Sequence, residues 1–428
     1  MSRRTLRQYR GVIRDDLMQE ILDLAGALRG LRVVHVNATP VGGGVAELLQ
    51  SVVPLQRSLG LDARWMVMEP EEAFFDATKH LHNLLQGAPG ELSEDERRTY
   101  LACNERTAAE MRRFRADVWV IHDPQPAAAG AALAGVPRIW RCHIDTSQPN
   151  PEAAAFVLSF VNRYDALVYS RPEFRLPGAA APRVAIIEPA IDPLLAKNRR
   201  VPPARAREVL RRIGIDPTRP LVAQVARLDP WKDPLGVIDA YRLAKRRVPD
   251  LQLALLGVMA AKDDPEAARV YRAVRAYAGD DPDVHIYVDG SVIGPLEVAA
   301  VQSAAAVVLQ KSLREGFGLS ATEAMWKGVP VVVGNVGGLR SQVVDGVTGY
   351  CVNTVEECAE RLVRLLTNRT LARRLGRAAR ERVRDHYLLP RMVRDELRLY
   401  QAILEDRGRP AAARPLAVPA ASEPAAAS

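Results

Sequence analysis

The stretch whose reading decides the fold is REGFGLSATEAMWKGVPVV, residues 314–332. It follows an apolar strand over Ala306–Gln310 and carries two carboxylates, Glu315 and Glu323, eight positions apart. The Gly316-Phe317-Gly318 turn introduces a helix, so Glu315 lies in a loop and Glu323 about one turn inside the helix. In continuous helix, eight residues would be a little over two turns at ~3.6 residues each. With the first carboxylate left in the loop, both can converge on one ligand above the strand's carboxyl end, where open α/β sheets bind ligands. Helix amides near Gly318–Ala321 favour an anion in the same space. A bare pair of glutamates is more often a solvated loop residue and an exposed helix residue. Here glycines leave backbone close to whatever the carboxylates touch, and Ala321, Ala324, Met325 and Trp326 give the helix a buried side.

Outward from this stretch, apolar strands alternate with amphipathic helices throughout, which predicts an α/β fold with parallel sheets covered on both faces. Strands are expected near 31–39, 63–68, 118–122, 138–143, 166–170 and 184–187 in the first half. In the second half they are expected near 221–226, 253–257, 284–288, 306–310, 329–333 and 349–352. Between Ile191 and Pro220 the rhythm breaks in DPLLAKNRRVPPARAREV, rich in proline and charge, which reads as an interdomain connection. The closing RGRPAAARPLAVPAASEPAAAS, residues 407–428, is low-complexity Ala/Pro and is expected to be a disordered tail.

A chain of 428 residues makes two or three domains at ~150 residues each. No apolar run approaches the ~20 residues needed to cross a bilayer. The N-terminal MSRRTLRQYRGVIRDD lacks the apolar centre of a secretory signal, so a cytoplasmic enzyme without a membrane partner is expected. Cys103, Cys142, Cys351 and Cys358 show no C-x2-C spacing and read as reduced thiols or small core residues. A net charge of +8 would admit nucleic acid, but of the 59 basic residues 52 are arginine. Much of the surplus lies between Arg361 and Arg398, in segments such as LARRLGRAARERVRDHY whose apolar spacing marks a solvated helix face. No helix-turn-helix, zinc-finger or RNP-like pattern accompanies it, and no nucleic-acid partner is expected.

Several loops at predicted strand ends carry chemistry. LRVVHVNAT ends in Pro40-Val41-Gly42-Gly43-Gly44 ahead of a helix, where Gly43 and Gly44 can bring backbone amides against a ligand oxygen. This is not the G-x-G-x-x-G dinucleotide fingerprint. VWVIHDPQP places His122, Asp123 and Gln125 at one strand end, and RIWRCHIDTSQPNP places His143, Asp145 and Thr146 at the next. Either histidine alone would more often be structural; two neighbouring His/Asp pairs can together bind sugar hydroxyls in fixed geometry. In LVAQVARLDPWKDPLGVIDAY, Arg227 and Lys232 are five apart ahead of a helix. Two cations there can neutralise a diphosphate, and more strongly as charge builds on a leaving oxygen. They can do the work of a metal, and Asp229 and Asp233 do not form a D-x-D ligand pair, so no metal site and no required cofactor is expected. Gly337 and Gly338 begin a further helix, as loop glycines or as ligand contacts.

At EGFGLSATEAM the chain resembles the retaining glycosyltransferases of the GT-B fold, in which a Glu-x7-Glu pair binds the nucleotide-sugar donor. HVNATPVGGGVAELL, RCHIDTSQPN, ARLDPWKDP and LQKSLREGFGLSATEAMWKGVPVVVGNVGG together are similar to trehalose synthases of the glycosyltransferring type, in glycosyltransferase family 4. The resemblance covers nearly the whole chain outside the tail. It departs in detail at Ser320-Ala321, where a more β-branched helix start would be expected. It implies two doubly wound Rossmann-like domains facing each other across a cleft, an acceptor-side domain over 1–195 and a nucleotide-sugar-binding domain over 196–385. A C-terminal helix over 386–406 would cross back to the first domain.

The resemblance further implies that Glu315 faces the donor sugar and Glu323 the ribose hydroxyls. Gly43, Gly44, Gly316, Phe317, Gly318 and Leu319 would lie along the donor, with Arg227 and Lys232 on its diphosphate. His143 would sit beside the reacting sugar, and Asp123, with His122, Gln125 and Asp145, would take the acceptor. The base would rest near Val284–Tyr287. The implied activity joins glucose from UDP-, ADP- or GDP-glucose to free glucose, reversibly and with retention, giving α,α-trehalose. Mg2+ would serve only as a non-essential counterion, and a homodimer is compatible with the reading. The alternatives are a trehalose phosphorylase of the same fold and a family 4 transferase with another acceptor.

Overall fold

A computed structural model describes residues 4–41, 44–257 and 265–408. Twelve strands form two six-stranded sheets among the described residues, each strand within a residue or two of its predicted ends. The first sheet holds β1 (Arg32–Asn37), β2 (Asp62–Val67), β3 (Val118–His122), β4 (Arg138–Cys142), β5 (Ala166–Tyr169) and β6 (Arg183–Ile186). The second holds β7 (Leu221–Val225), β8 (Gln252–Leu256), β9 (Val284–Tyr287), β10 (Val307–Gln310), β11 (Val331–Gly334) and β12 (Tyr350–Val352). Every strand pairing is parallel. Strands such as β3, β8 and β11 are buried along their whole length, as parallel strands covered on both faces must be.

Strand order locates the sites. The first sheet runs β2-β1-β3-β4-β5-β6 and the second β12-β11-β10-β7-β8-β9. Chain progression therefore reverses between β1 and β3 in one sheet and between β7 and β10 in the other. At such a reversal, successive connections leave in opposite directions and open a crevice beyond the carboxyl ends of the strands.

Residues divide into two compact units, neither of them a single continuous segment. The unit built on the second sheet comprises Met1–Asp23, Thr39–Leu59 and Pro189–Arg394. Its three segments meet at buried Asp192, which accepts hydrogen bonds from Tyr9 and Ser51, both at 3.0 Å, and pairs with Arg4 at 2.7 Å. Burial, chiefly, and the nearby Asp192 carboxylate push the Tyr9 hydroxyl pKa well up. The stretch read as a connection contains a helix, Pro203–Arg212, started by proline and buried through Ala206, Val209 and Leu210. Its arginines masked the apolar spacing in the sequence; Val201, Ala206 and Val209 pack with Ala299 and Ala300.

The unit built on the first sheet comprises Leu24–Ala38, Gly60–Glu188 and Asp395–Ser428. The last helix, Leu389–Arg407, contributes its residues from Asp395 onward. There Glu396 forms a buried ion pair with Arg141 of β4, and Arg407 pairs with Asp165 at 3.2 Å. Residues 409–428, most of the expected tail, lie outside the described residues.

Arg141 and Glu396 are 3% and 5% exposed at their side chains, so removing one leaves the other a buried charge without this partner. Arg141→Met is expected to cost roughly 3–5 kcal/mol, read as a lowered urea midpoint, and Arg141→Met/Glu396→Leu to recover most of it. A single variant as stable as wild type would contradict the burial argument.

Candidate active site

Two loops at the β7/β10 reversal bring the predicted cation and carboxylate together. After β7, Asp229 caps a 3-10 turn, Pro230–Lys232, accepting from the Trp231 amide at 2.9 Å. Gln224 of β7 donates to the Lys232 carbonyl at 2.8 Å. Asp233 takes a left-handed conformation, φ 50°, and caps the next helix through the Gly236 amide. Non-glycine residues hold such a conformation only where their surroundings over-determine it. The Lys311 ammonium supplies a further partner by pairing with the Asp233 carboxylate. So fixed, Lys232 places its ammonium 2.5 Å from the Glu315 carboxylate, which also accepts from Ser312 at 3.2 Å. Arg227 stays apart: its side chain is 61% exposed and pairs with Asp229 at 3.5 Å.

Gly337 and Gly338 have a packing role. The loop after β11 lies backbone to backbone on the Glu315–Phe317 loop, with the Gly338 amide donating to the Glu315 carbonyl at 3.1 Å. A Cβ at Gly337 would overlap that carbonyl oxygen, and one at Gly338 would overlap Gly316 and Phe317. Gly318, with φ 92°, caps the helix Leu319–Trp326. The buried Phe317 ring lies edge-on to Tyr387, with centroids 5.6 Å apart.

Glu323, 2% exposed, is already held. Lys197, from the short turn Ala196–Asn198 of the connecting stretch, lies 2.7 Å from Glu323 and 2.7 Å from Glu47. Despite its burial, these two carboxylates raise the Lys197 pKa, whereas burial raises that of Glu47. Lys327 donates to Gln302 at 2.7 Å, and burial lowers its pKa to about 8. Glu47 sits in the helix Gly44–Ser58 that follows the glycine loop. A Cβ at Gly44 would lie 3.5 Å from Leu319, so this helix start adjoins the start of the Glu323 helix. Gly43 lies outside the described residues. Sequence reasoning missed Lys197 because a lysine in a charged, proline-rich stretch shows no pattern there.

In the other unit, predicted residues gather at the carboxyl ends of β3 and β4. Asp123, at φ 65°, is another left-handed non-glycine residue. Its carboxylate accepts from the His143 amide at 2.8 Å, and its carbonyl accepts from Trp140 at 2.8 Å. Burial raises the Asp123 carboxyl to about 7. His122 lies against His143, Nδ1 to Nε2 at 2.9 Å, with burial as the first cause holding both well below the usual histidine range. Asp145 accepts from the Ser147 amide at 3.0 Å in a local turn, and the Gln125 carbonyl accepts from Asn104 at 3.0 Å. His35 of β1, which sequence reasoning passed over within an apolar strand, joins this group 3.0 Å from His122.

Residues 35–176 match the family described as trehalose synthase, N-terminal domain, and residues 206–382 match glycosyl transferases group 1. The chain is 45% identical to a trehalose synthase of Rubrobacter xylanophilus, covering 94% of this chain and 97% of that one. It is 41% identical to a trehalose synthase of Thermococcus litoralis, covering 90% and 93%. Among solved structures, a UDP-forming α,α-trehalose-phosphate synthase from Burkholderia vietnamiensis superposes with a TM-score of 0.70 at 14% identity, covering 90% of this chain and all of that one. At that identity the likeness shows the fold alone, a GT-B arrangement. No described helix is long and apolar enough to cross a membrane.

The glycine seat under Glu315 can be separated from ordinary backbone strain. Gly337→Ala combines a positive φ with overlap on the Glu315 carbonyl, whereas Gly346→Ala has a positive φ in open space. Each should lose roughly 1–3 kcal/mol from conformation, but Gly337→Ala should lose more and also lower turnover. Equal stabilities and equal turnover in the two variants would mean that the contact does not hold Glu315.

Proposed function

Because the chain belongs to the trehalose synthase family of glycosyltransferases, we propose that it transfers the glucosyl unit of a nucleoside-diphosphate glucose to free glucose, reversibly and with retained configuration. The product is α,α-trehalose. The observation that carries this reading is the Lys232–Glu315 pair at the reversal point of the second sheet. An ammonium balanced by one carboxylate can exchange that partner for a diphosphate, leaving the carboxylate beside the sugar attached to it.

Transfer proceeds on one face of the donor. Lys232, with exposed Arg227 moving in, neutralises the departing diphosphate, which binds more tightly as its charge grows. The acceptor hydroxyl attacks from the same face, forming the new glycosidic bond as the bond to phosphate breaks, and its proton passes to the phosphate oxygen. Glu315 positions the glucosyl unit, Glu323 the ribose, and His143 and Asp123 the sugar hydroxyls. These side-chain cations carry the phosphate charge, so Mg2+ acts only as a dispensable counterion and turnover should persist in excess EDTA. Loss of activity in EDTA, restored by Mg2+, would overturn this part of the reading.

The decisive assay mixes purified protein with glucose and UDP-, ADP- or GDP-glucose, and measures non-reducing disaccharide and released diphosphate. Equal amounts of both support the reading. Cleavage of trehalose by inorganic phosphate alone would replace it with a phosphorylase. Lys232→Ala should lower turnover on the order of 10²- to 10³-fold with the KM for glucose little changed. A raised glucose KM at normal turnover would remove Lys232 from the leaving group.

Asp123 gives the acceptor side a pH signature. Its carboxyl, raised to about 7 by burial, is neutral below that pH and ionised above it. An ionised carboxylate accepts stronger hydrogen bonds from hydroxyls, so KM for glucose should fall as pH rises through 7. Asp123→Asn should flatten that dependence; an unchanged profile in the variant would clear Asp123 of the role.

A further inference from the structure

Three imidazoles run in line across the reversal point of the first sheet: His35 on β1, His122 at the end of β3, and His143 just beyond β4. His35 Nδ1 lies 3.0 Å from His122 Nε2, and His122 Nδ1 lies 2.9 Å from His143 Nε2. The rings meet edge to edge, with centroids 5.3 Å and 5.2 Å apart and planes inclined by only 27° and 16°. His35 and His122 are 0% and 1% exposed, while His143 is half-buried. The charged and titratable neighbours of this row include Arg141, paired with Glu396, and Asp123, bonded to the His143 amide. Burial and the Arg141 charge keep His122 and His143 neutral near pH 7.

Counting protons shows what such a row can do. A neutral imidazole carries one N–H and one bare nitrogen. With His35 neutral as well, the three rings carry three such protons, and each of the two inter-ring bonds takes one. The third must sit at one end, on His35 Nε2 or on His143 Nδ1. All three rings therefore share one tautomer, and a change at either end resets the whole row. With every proton on Nδ1, His143 offers a donor at its remaining nitrogen. With every proton on Nε2, it offers a bare acceptor.

We propose that His35 is a positioning residue for the transfer reaction: acting through His122, it sets the tautomer of His143 and hence whether a sugar hydroxyl there meets a donor or an acceptor. Which nitrogen of a histidine is protonated is set by the hydrogen bond the other one makes, and here that bond leads to a second and a third ring. The inference rests on the reading of His143 as a group beside the transferred sugar.

The test uses the full chain labelled with 15N-histidine, in which seven histidines report. Long-range 1H–15N correlation at pH 7.5 reads each ring's tautomer, with His35, His122 and His143 identified by single substitutions. The expected result is one shared tautomer; mixed tautomers, or a protonated ring, overturn the row. His35→Asn keeps an amide where Nδ1 lies, whereas His35→Gln moves it toward the place of Nε2. With NDP-glucose and glucose as substrates, His35→Asn should stay within about threefold of wild-type turnover, and His35→Gln should lose about tenfold, the scale of one hydrogen bond. His35→Gln should also mix the His143 tautomers and displace the acid limb of the kcat profile while leaving donor KM unchanged. A shared tautomer in wild type with unaltered kcat and pH profile in His35→Gln would show a row that does not serve the reaction, and would overturn the proposal. If the wild type transfers no glucose, the reading of the site fails, and the spectra still decide the row.

Discussion

A single ammonium, that of Lys232, joins the two halves of the second sheet at the point where its chain order reverses. The loop after β7 carries it and the loop after β10 carries its carboxylate, Glu315. Neither loop is free to wander. The first is pinned by Gln224 from the strand beneath and by the left-handed cap at Asp233. The second is seated on a glycine-rich loop whose backbone approaches so closely that no side chain fits between them. Fixed charges aimed at a developing charge need no rearrangement at the moment of reaction, which is where such sites gain most of their effect.

The two sheets use opposite electrostatics at equivalent places. At the β7/β10 reversal the groups are charged and paired: Lys232 with Glu315, Lys311 with Asp233, and Lys197 between Glu47 and Glu323. At the β1/β3 reversal burial holds His122 and His143 well below the usual histidine range, beside a carboxyl whose pKa is raised to about 7. Charge suits a diphosphate. Neutral imidazoles beside a carboxyl that ionises above about pH 7 suit sugar hydroxyls, offering both donors and acceptors.

Much of this was legible in the sequence, for physical reasons that differ by residue. Twelve apolar runs with turn signals between them gave away the strands, because a parallel strand covered on both faces carries few polar residues to blur the pattern. Glu315, Lys232, His122 and His143 were legible because each lies at or just beyond a strand's carboxyl end, where local sequence already fixes position. Lys197 and His35 were not. Lys197 reaches Glu323 over more than a hundred intervening positions, in a stretch whose arginines also hid the helix Pro203–Arg212. His35 looked like an interruption of an apolar strand until β1 and β3 were seen side by side. The packing of the buried Phe317 ring edge-on to Tyr387 was not legible either, since the two lie seventy positions apart.

On the proposed reading the two glutamates divide the labour, Glu315 facing the transferred sugar beside Lys232 and Glu323 facing the nucleoside. Calorimetric titration of UDP or ADP, whichever wild type prefers, into wild type, Glu315→Gln and Glu323→Ala tests it most directly. Glu323→Ala should weaken the nucleotide by about ten- to a hundredfold, the scale of hydrogen bonds lost from a charged group. Glu315→Gln frees Lys232 from its carboxylate and should leave nucleotide affinity intact or stronger. Loss of nucleotide binding in Glu315→Gln with normal binding in Glu323→Ala would reverse the two roles and contradict the account.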